Sequence, residues 1–334
     1  MRSLLGLLAA AVLVTAGAAP ANAASENGCD RWGWALRLDF NNIQTNLCDN
    51  KSFLPYQEGA QITLTINELA HTRSVNGQGV IAGFVNVFPK NANDPFLGMV
   101  IGPYLQGSGT YQFASSKTPI TRSDLVTEGG FAQVGFENPL PGNYLLQNYF
   151  RFRGGDVESN TGTNSTTFVG EWLPAANFSH DAPAGDPSGC YFAIGEAAPL
   201  RCGTFETSDQ HIFFLLTPEL MVQSDHLDSG PNKYRLFSRN DSALRIGPQI
   251  SLALYPYNEG PVLDNFSLST VYHVSTDTDS GRGYAWVLTT LTYNLPSSDP
   301  RIPTFGLTAS YGAGNSETTA NTTSQFMIGL SVKH

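Results

Sequence analysis

A histidine and a serine lie two positions apart in the segment YHVS, at His273 and Ser275. Side chains at this spacing on a β-strand point to the same face of the sheet, so the imidazole and the hydroxyl are neighbours. A histidine beside a serine can act as the base that activates it for acyl transfer. The pair is the strongest catalytic candidate in the chain, and two polar residues in the interior of a β-structure are the alternative.

Other catalytic and metal-binding patterns are weak. The chain contains no G-x-S-x-G, H-E-x-x-H or P-loop segment. Its histidines are scattered, and DTDSG at residues 277–281 lacks the further acidic ligands of a calcium loop, so we interpret it as a polar turn. The sequence therefore predicts no metal site and no cofactor, and an enzyme is the less favoured interpretation.

Several charged residues fall on the polar side of alternating segments, where a barrel would point them into its lumen. They are Arg37, Asp39, Arg151, Arg153, Arg245 and Lys333. Guanidinium groups inside a barrel can line a pore and favour anions, or they can pair with carboxylates from the same acidic chain. Both interpretations are open, and we favour structural pairing.

Strands must position these side chains, and the C-terminal third shows them most clearly. Five segments alternate apolar and polar residues with a period of two: 244–254, 266–275, 285–295, 305–311 and 324–334. Pro248 lies in the middle of the first segment and removes a ladder hydrogen bond, which would fit a bulge or a strand break. Residues 276–283 and 312–323 are expected to form external loops.

Seven earlier segments are also predicted to be strands: 34–40, 62–66, 79–88, 95–105, 144–153, 166–173 and 211–222. Gly, Pro, Asn and Asp recur between the segments, and no long segment has a helical period. The sequence therefore predicts an all-β, antiparallel, up-and-down arrangement of about twelve strands in one domain.

The N-terminus predicts export. A positive start at Arg2, an apolar run from Leu4 to Val14 and the A-x-A sequence at residues 21–23 are typical of a secretory signal peptide over residues 1–23. The single domain would then comprise residues 24–334. The formal net charge is −10 and no Lys/Arg cluster occurs, so a nucleic-acid partner is not expected.

Four cysteines in an exported chain favour disulfides. Of the three possible connectivities, we choose the two local pairs, Cys29–Cys48 and Cys190–Cys202. Metal binding is the alternative, but the chain has no CxxC segment and no nearby pair of histidines.

An antiparallel sandwich and a membrane barrel both alternate, so further features must decide between them. Alternation continues through the last strand, and the residues opposite the apolar ones are rich in Ser, Thr, Gly, Gln and Arg, which suits a wet lumen. Aromatic residues gather near strand ends, where membrane interfaces lie: Tyr255, Tyr257, Tyr272, Tyr284, Trp286, Tyr293 and Tyr311. These features favour a transmembrane β-barrel.

The final segment MIGLSVKH resembles the C-terminal assembly signal of bacterial outer-membrane β-barrel proteins. In that signal a glycine is followed at +3 and +5 by apolar or aromatic residues, after an alternating apolar face. The matching residues are Phe326, Ile328, Gly329, Leu330, Val332 and His334. His334 departs from the Phe or Trp that usually ends this signal. The resemblance implies an outer-membrane location, with outer-membrane lipid and the barrel-assembly machinery as partners.

His273 and Ser275 are similar to the His-x-Ser pair of outer-membrane phospholipase A, which lies on a barrel strand. That family has an asparagine fourteen residues after the histidine, where this chain has Val287. The alternation also directs the pair into the lumen, whereas that enzyme works on its lipid-facing side.

Three hypotheses follow. The first is an integral outer-membrane β-barrel that acts as a narrow pore, for a small solute or an anion, or as a surface-exposed structural barrel. The second is an outer-membrane lipid hydrolase that uses the His-x-Ser pair. The third is a soluble exported β-sandwich that binds a ligand or a surface partner.

Overall fold

The described part of the chain is almost entirely β-structure. The computed structural model describes residues 32–37, 60–67, 72–88, 96–113, 121–140, 144–160, 162–177, 190–191, 201–202, 212–230, 241–256, 262–295, 304–315 and 322–333. None of the helical structure in these ranges is long and apolar enough to cross a membrane. The predicted signal peptide lies outside the described residues.

The strands, in chain order, are β1 Trp32–Arg37, β2 Ala60–Asn67, β3 Thr72–Phe88, β4 Phe96–Gln112, β5 Thr121–Leu140, β6 Tyr144–Ser159, β7 Asn164–Asn177, β8 Cys190–Tyr191, β9 Arg201–Cys202, β10 Ile212–Ser229, β11 Ser242–Pro256, β12 Phe266–Asp277, β13 Gly283–Asn294, β14 Thr304–Asn315 and β15 Thr322–Lys333. A short 3₁₀ helix, Leu263–Asn265, precedes β12.

Twelve of these strands, β2–β7 and β10–β15, form a closed antiparallel barrel in which each strand pairs with the next. The last strand closes the barrel on the first, with Val332 of β15 opposite Ala60 of β2. We call the end where β2 begins and β15 ends the terminal end, and the opposite end the turn end. The predicted all-β, up-and-down barrel of about twelve strands is confirmed.

The predicted number of strands was right, although one predicted segment is not a separate barrel strand and one barrel strand was not predicted. The segment 34–40 does not provide a separate barrel strand, because β1 and β2 lie end to end along the same edge of β3. Arg37 lies opposite Val80, and Gln61 lies opposite Gln78. The barrel strand that was not predicted is β5.

The barrel has an apolar outside and a largely polar inside. On β2, Ile62, Leu64 and Ile66 are exposed, whereas the alternate residues Thr63 and Thr65 are buried. The same alternation runs through β11 to β15. The outward residues of these strands and of β2 include no charged side chain.

Charged residues on the outside are confined to the turn end of the described wall. They are Arg73, Asp124, Glu128, Asp156, Glu158 and Asp228. The longest strand, β5, has 20 residues, about twice what is needed to cross a hydrocarbon core. The long strands therefore extend beyond the apolar band at this end, and their outward faces become polar there.

Three local predictions change in the structure. Pro248 does not end its strand: β11 continues through it, and the register with β12 is the same on both sides of the gap between Ile246 and Gln249. The gap follows from the missing N–H of proline.

Tyr284 and Trp286 lie on the inward face of β13, so they do not belong to an external aromatic band.

Candidate functional site: the charged wall of the barrel interior

The first cluster of inward charges joins β6 and β7. Glu171 lies directly opposite Arg151, and its Oε2 is 2.8 Å from Arg151 Nε. The other carboxylate oxygen, Oε1, is 3.1 Å from Nη2 of Arg153. The Glu171 side chain is fully buried and that of Arg151 is nearly so. One carboxylate therefore lies within ion-pair distance of two guanidinium groups.

A second cluster lies nearer the turn end, on β10, β11 and β12. Arg245 Nη1 donates to Asp225 Oδ2 at 2.6 Å, and Gln223 Nε2 donates to the same oxygen at 2.8 Å. Asp277 lies opposite Arg245 in the β11–β12 ladder and is also buried. Its Oδ1 accepts the backbone N–H groups of the following turn, at 2.9 Å from the nitrogen of residue 279. The carboxylate thus caps the turn that the sequence predicted at 277–281.

Tyr284 extends this cluster, because two guanidinium groups lie over its ring. Its ring centroid is 5.8 Å from Cζ of Arg245 and 5.5 Å from Cζ of Arg282. Because Arg282 belongs to the turn between β12 and β13, the stack connects the inner wall to the rim of the barrel. Cation–π contacts of this kind fix the arginines in place without neutralising their charge.

His273 and Ser275 both lie on the inward face of β12, as the alternation predicted. His273 is opposite Gln249 on one side and Trp286 on the other. Gln249 Nε2 in turn donates to Glu219 Oε2 at 3.1 Å. Ser275 is only 1% exposed, so its hydroxyl is shielded from solvent, and it lies on the opposite face from the barrel exterior. This environment is that of a polar pair in the interior wall.

The remaining inward residues divide the interior into regions. β3, β4 and β5 contribute an apolar cluster with Val80, Ala82, Phe84, Val100, Tyr104 and Phe131, to which Ala35 of β1 belongs. The inward faces of β12 to β15 and of β2 consist largely of hydroxyl residues and glycines, such as Thr290, Ser310 and Thr63. Charge is thus concentrated on the inward faces of β6, β7, β10, β11 and β12, which we call the charged wall.

Small residues on β14 make room for a large one on β13. A Cβ added at Gly312 would lie 2.5 Å from Cζ2 of Trp286. The indole therefore lies over β14, on the hydroxyl-lined side of the interior.

Three of the six predicted lumen charges, Arg151, Arg153 and Arg245, lie on the charged wall. For Arg37 and Lys333 the structure defines the backbone, with Arg37 opposite Val80 and Lys333 opposite Thr304. Asp39 lies outside the described residues.

The predicted assembly signal lies on the closing strand. Phe326, Ile328 and Leu330 point outward and are exposed, with Leu330 at 62%, and Val332 shares their face. Gly329 lies on the other face of β15, at the closing seam between β15 and β2. An added Cβ there would lie 2.2 Å from the carbonyl oxygen of Ile62. His334 lies outside the described residues.

Two of the four cysteines are described through their backbone. Cys190 and Cys202 lie directly opposite each other in the β8–β9 pair, which is compatible with the predicted disulfide. Cys29 and Cys48 lie outside the described residues. Within the described part of the chain, no three His, Cys, Asp or Glu side chains are grouped so that they could hold a metal ion.

Sequence reasoning missed the carboxylates of the charged wall, above all Glu171. This residue lies in a segment, 166–173, that was recognised as a strand but could not be assigned an inward face. The sequence signal for the inward face is alternation, because Val169 and Glu171 alternate with the aromatic residues Phe168 and Trp172.

Comparisons with known proteins add little to this description. No protein-family model and no curated protein matches the chain. Among solved structures, the chain is similar to the transport unit of the autotransporter AIDA-I from Escherichia coli. The two share 9% sequence identity and a TM-score of 0.39, over 96% of this chain and 93% of that one.

Proposed function

We propose that this protein is an integral outer-membrane β-barrel that acts as a narrow pore for small polar solutes. The observation that carries the proposal is the inverted polarity of the barrel. In a soluble protein, Ile328 and Leu330 would be buried and the alternate residues would face water. Here these two side chains are 55% and 62% exposed, and the inward face carries hydroxyls, amides and ion pairs.

The pattern of outward residues supports a membrane location. Aromatic pairs lie on the outer face towards the terminal end, such as Phe96 and Phe136 at 5.6 Å between ring centroids, and Phe266 and Tyr293 at 4.7 Å. Trp172 adds an indole that donates to Asn148 at 2.9 Å. Aromatic residues at this level and carboxylates beyond the opposite edge of the band are the arrangement expected of a barrel in lipid. The predicted signal peptide and assembly signal point to the outer membrane.

The interior supports a narrow and weakly selective passage. The charged wall is packed, because Arg151, Glu171 and Arg245 are nearly inaccessible to water. The inward Arg, Asp and Glu residues whose side chains the structure describes are three arginines (151, 153 and 245) and four carboxylates (171, 219, 225 and 277), so these arginines are balanced and do not favour anions. Water-accessible inward residues include the neutral amides of Asn76, Gln106 and Gln325.

Conductance across a planar lipid bilayer tests this proposal. The folded protein should give small, discrete conductance steps with little preference between K⁺ and Cl⁻. Replacement of the inward carboxylate in Glu219→Gln should shift the reversal potential in a salt gradient towards anions. The matched control, Glu128→Gln, removes an outward carboxylate at the turn end and should leave the reversal potential unchanged.

An absence of conductance from protein that is folded and inserted would overturn the pore and leave a structural barrel. An equal shift in the two variants would show that the charge at Glu219 does not face the conducting path. The described residues offer no observation that favours lipid hydrolysis over this proposal, and the closed barrel differs from the β-sandwich of the third hypothesis.

A further inference from the structure

The wall of the barrel divides between β7 and β10 at the terminal end. The two strands pair with each other from Trp172 opposite Leu220 towards the turn end. On the terminal side, β7 remains paired with β6 as far as Asn177, and β10 remains paired with β11 as far as Ile212. Residues 173–177 and 212–219 therefore follow different neighbours and diverge from each other.

A short hairpin, β8–β9, occupies this division. Cys190 of β8 lies opposite Leu216 of β10, and β9 pairs with β8 at the end of this path, while both β8 and β9 lie close to β7. Within the hairpin, Tyr191 lies opposite Arg201 and Cys190 lies opposite Cys202. The order of paired strands at this level is therefore β10, β8 and β9, with β7 adjacent to the hairpin.

Two strands of two residues each are too short to be stable by their own ladder, since an isolated hairpin is marginal even at ordinary length. The cysteines lie at the position where a cross-link would compensate. Directly opposite residues of an antiparallel pair have Cα atoms about 4.5 to 5.5 Å apart, within the range that a disulfide bridges. A disulfide would also restrict the unfolded hairpin, which favours the paired form.

We propose that Cys190 and Cys202, when oxidised, make the β8–β9 hairpin a rigid wedge that holds β7 and β10 apart. Reduction then loosens the hairpin, so that the adjoining segments of β7 and β10 open locally more often. In the oxidation, the two thiols lose two protons and two electrons, and an S–S bond forms between their Sγ atoms. A protein or small-molecule disulfide accepts the electrons and protons and leaves as a dithiol. A dithiol reductant reverses the step. The terminal end of the wall is thus redox-sensitive, independently of whether the lumen conducts.

Hydrogen exchange on the folded, full-length protein tests the wedge. After dithiothreitol is added to folded protein, the backbone amides of residues 173–177 and 212–219 should exchange at least about tenfold faster, because local opening becomes easier. The amides of β13, on another part of the wall, should not change. Adding the reductant after folding separates this effect from any failure to fold.

Two double variants provide the matched comparison. Cys190→Ser with Cys202→Ser should show fast exchange in both segments without reductant, whereas Cys29→Ser with Cys48→Ser should keep the slow exchange. Peptide analysis under non-reducing conditions should find the link between Cys190 and Cys202. A different linkage, unchanged exchange after reduction, or an equal increase in β13 would each overturn the proposal.

Discussion

Arg151 of β6 and Glu171 of β7 lie directly opposite each other on the inner wall and form an ion pair, with 2.8 Å between Nε and Oε2. The same carboxylate lies 3.1 Å from Arg153, so it is the shared partner of two arginines. A buried charge without its counter-ion is unfavourable, which makes this carboxylate important to the stability of the charged wall.

Glu171→Gln should therefore destabilise the folded barrel. The amide keeps the shape of the side chain but removes a buried negative charge that lies within ion-pair distance of two guanidinium groups, at a cost of about 3–5 kcal/mol in the free energy of unfolding. Urea unfolding in lipid vesicles, followed by tryptophan fluorescence, measures the change. Glu128→Gln, at an exposed carboxylate, should lie within about 0.5 kcal/mol of the wild type. Equal unfolding midpoints for the two variants would contradict the shared pairing.

The closing seam should depend on a glycine at position 329. In Gly329→Ala the new Cβ would lie 2.2 Å from the carbonyl oxygen of Ile62, and 2.7 Å from Cγ2 of Thr63, so β15 and β2 would have to separate. We expect a smaller fraction of the protein to reach the folded, heat-resistant form. Gly283→Ala is the control, because nothing lies within 4 Å of its added Cβ. If both variants fold as well as the wild type, the seam tolerates a side chain and this account of Gly329 is wrong.

The two faces of β15 should respond differently to charge. Ile328→Arg places a guanidinium on the apolar exterior and should lower the free energy of unfolding by about 2–4 kcal/mol, the cost of arginine on the lipid face near the bilayer midplane. Gln325→Arg places the same group on the inward face and should cost much less. Unfolding of both variants in lipid vesicles gives the comparison. A larger loss from the inward substitution would mean that the faces have been assigned the wrong way round.

Ser275 should have no role in lipid hydrolysis. Its hydroxyl is buried within the inner wall, where a phospholipid cannot approach it. We expect no phospholipase activity above background from folded protein in detergent micelles, and Ser275→Ala should behave identically. Hydrolysis by the wild type that disappears in this variant would revive the hydrolase hypothesis.

The C-terminal strands could be predicted from sequence because each has one uniform face. Ile250 and Leu252 of β11, or Phe305 and Leu307 of β14, alternate with small or polar residues without interruption. Which residues share the apolar face of each strand then follows from the pattern alone. Gly329 could be recognised as part of the terminal signal, but its contact with Ile62 depends on the closing of the seam.

β5 was missed because its outward face changes character along its length. Val134 and Phe136 lie outward in the apolar band, whereas Glu128 and Asp124 lie outward beyond it. Gly129 and Gly130 also interrupt the strand pattern in the middle. A simple alternation test assumes one environment for each face, and a strand that extends beyond the apolar band has two.

The charged wall could be predicted only in part, because its pairs join residues that are distant in sequence. Asp225 and Arg245 become neighbours through the register of β10 and β11. Alternation indicated that Arg245 points inward, but the chain alone did not indicate which carboxylate it meets.

The central claim is that the apolar outside of this barrel lies in the outer membrane. The most direct measurement is fractionation of the cell envelope followed by gel electrophoresis of heated and unheated samples. We predict that the protein remains in the outer-membrane fraction after a urea wash and that unheated protein migrates differently from heated protein. A single band that does not shift with heating, recovered from the soluble fraction without detergent, would contradict the account.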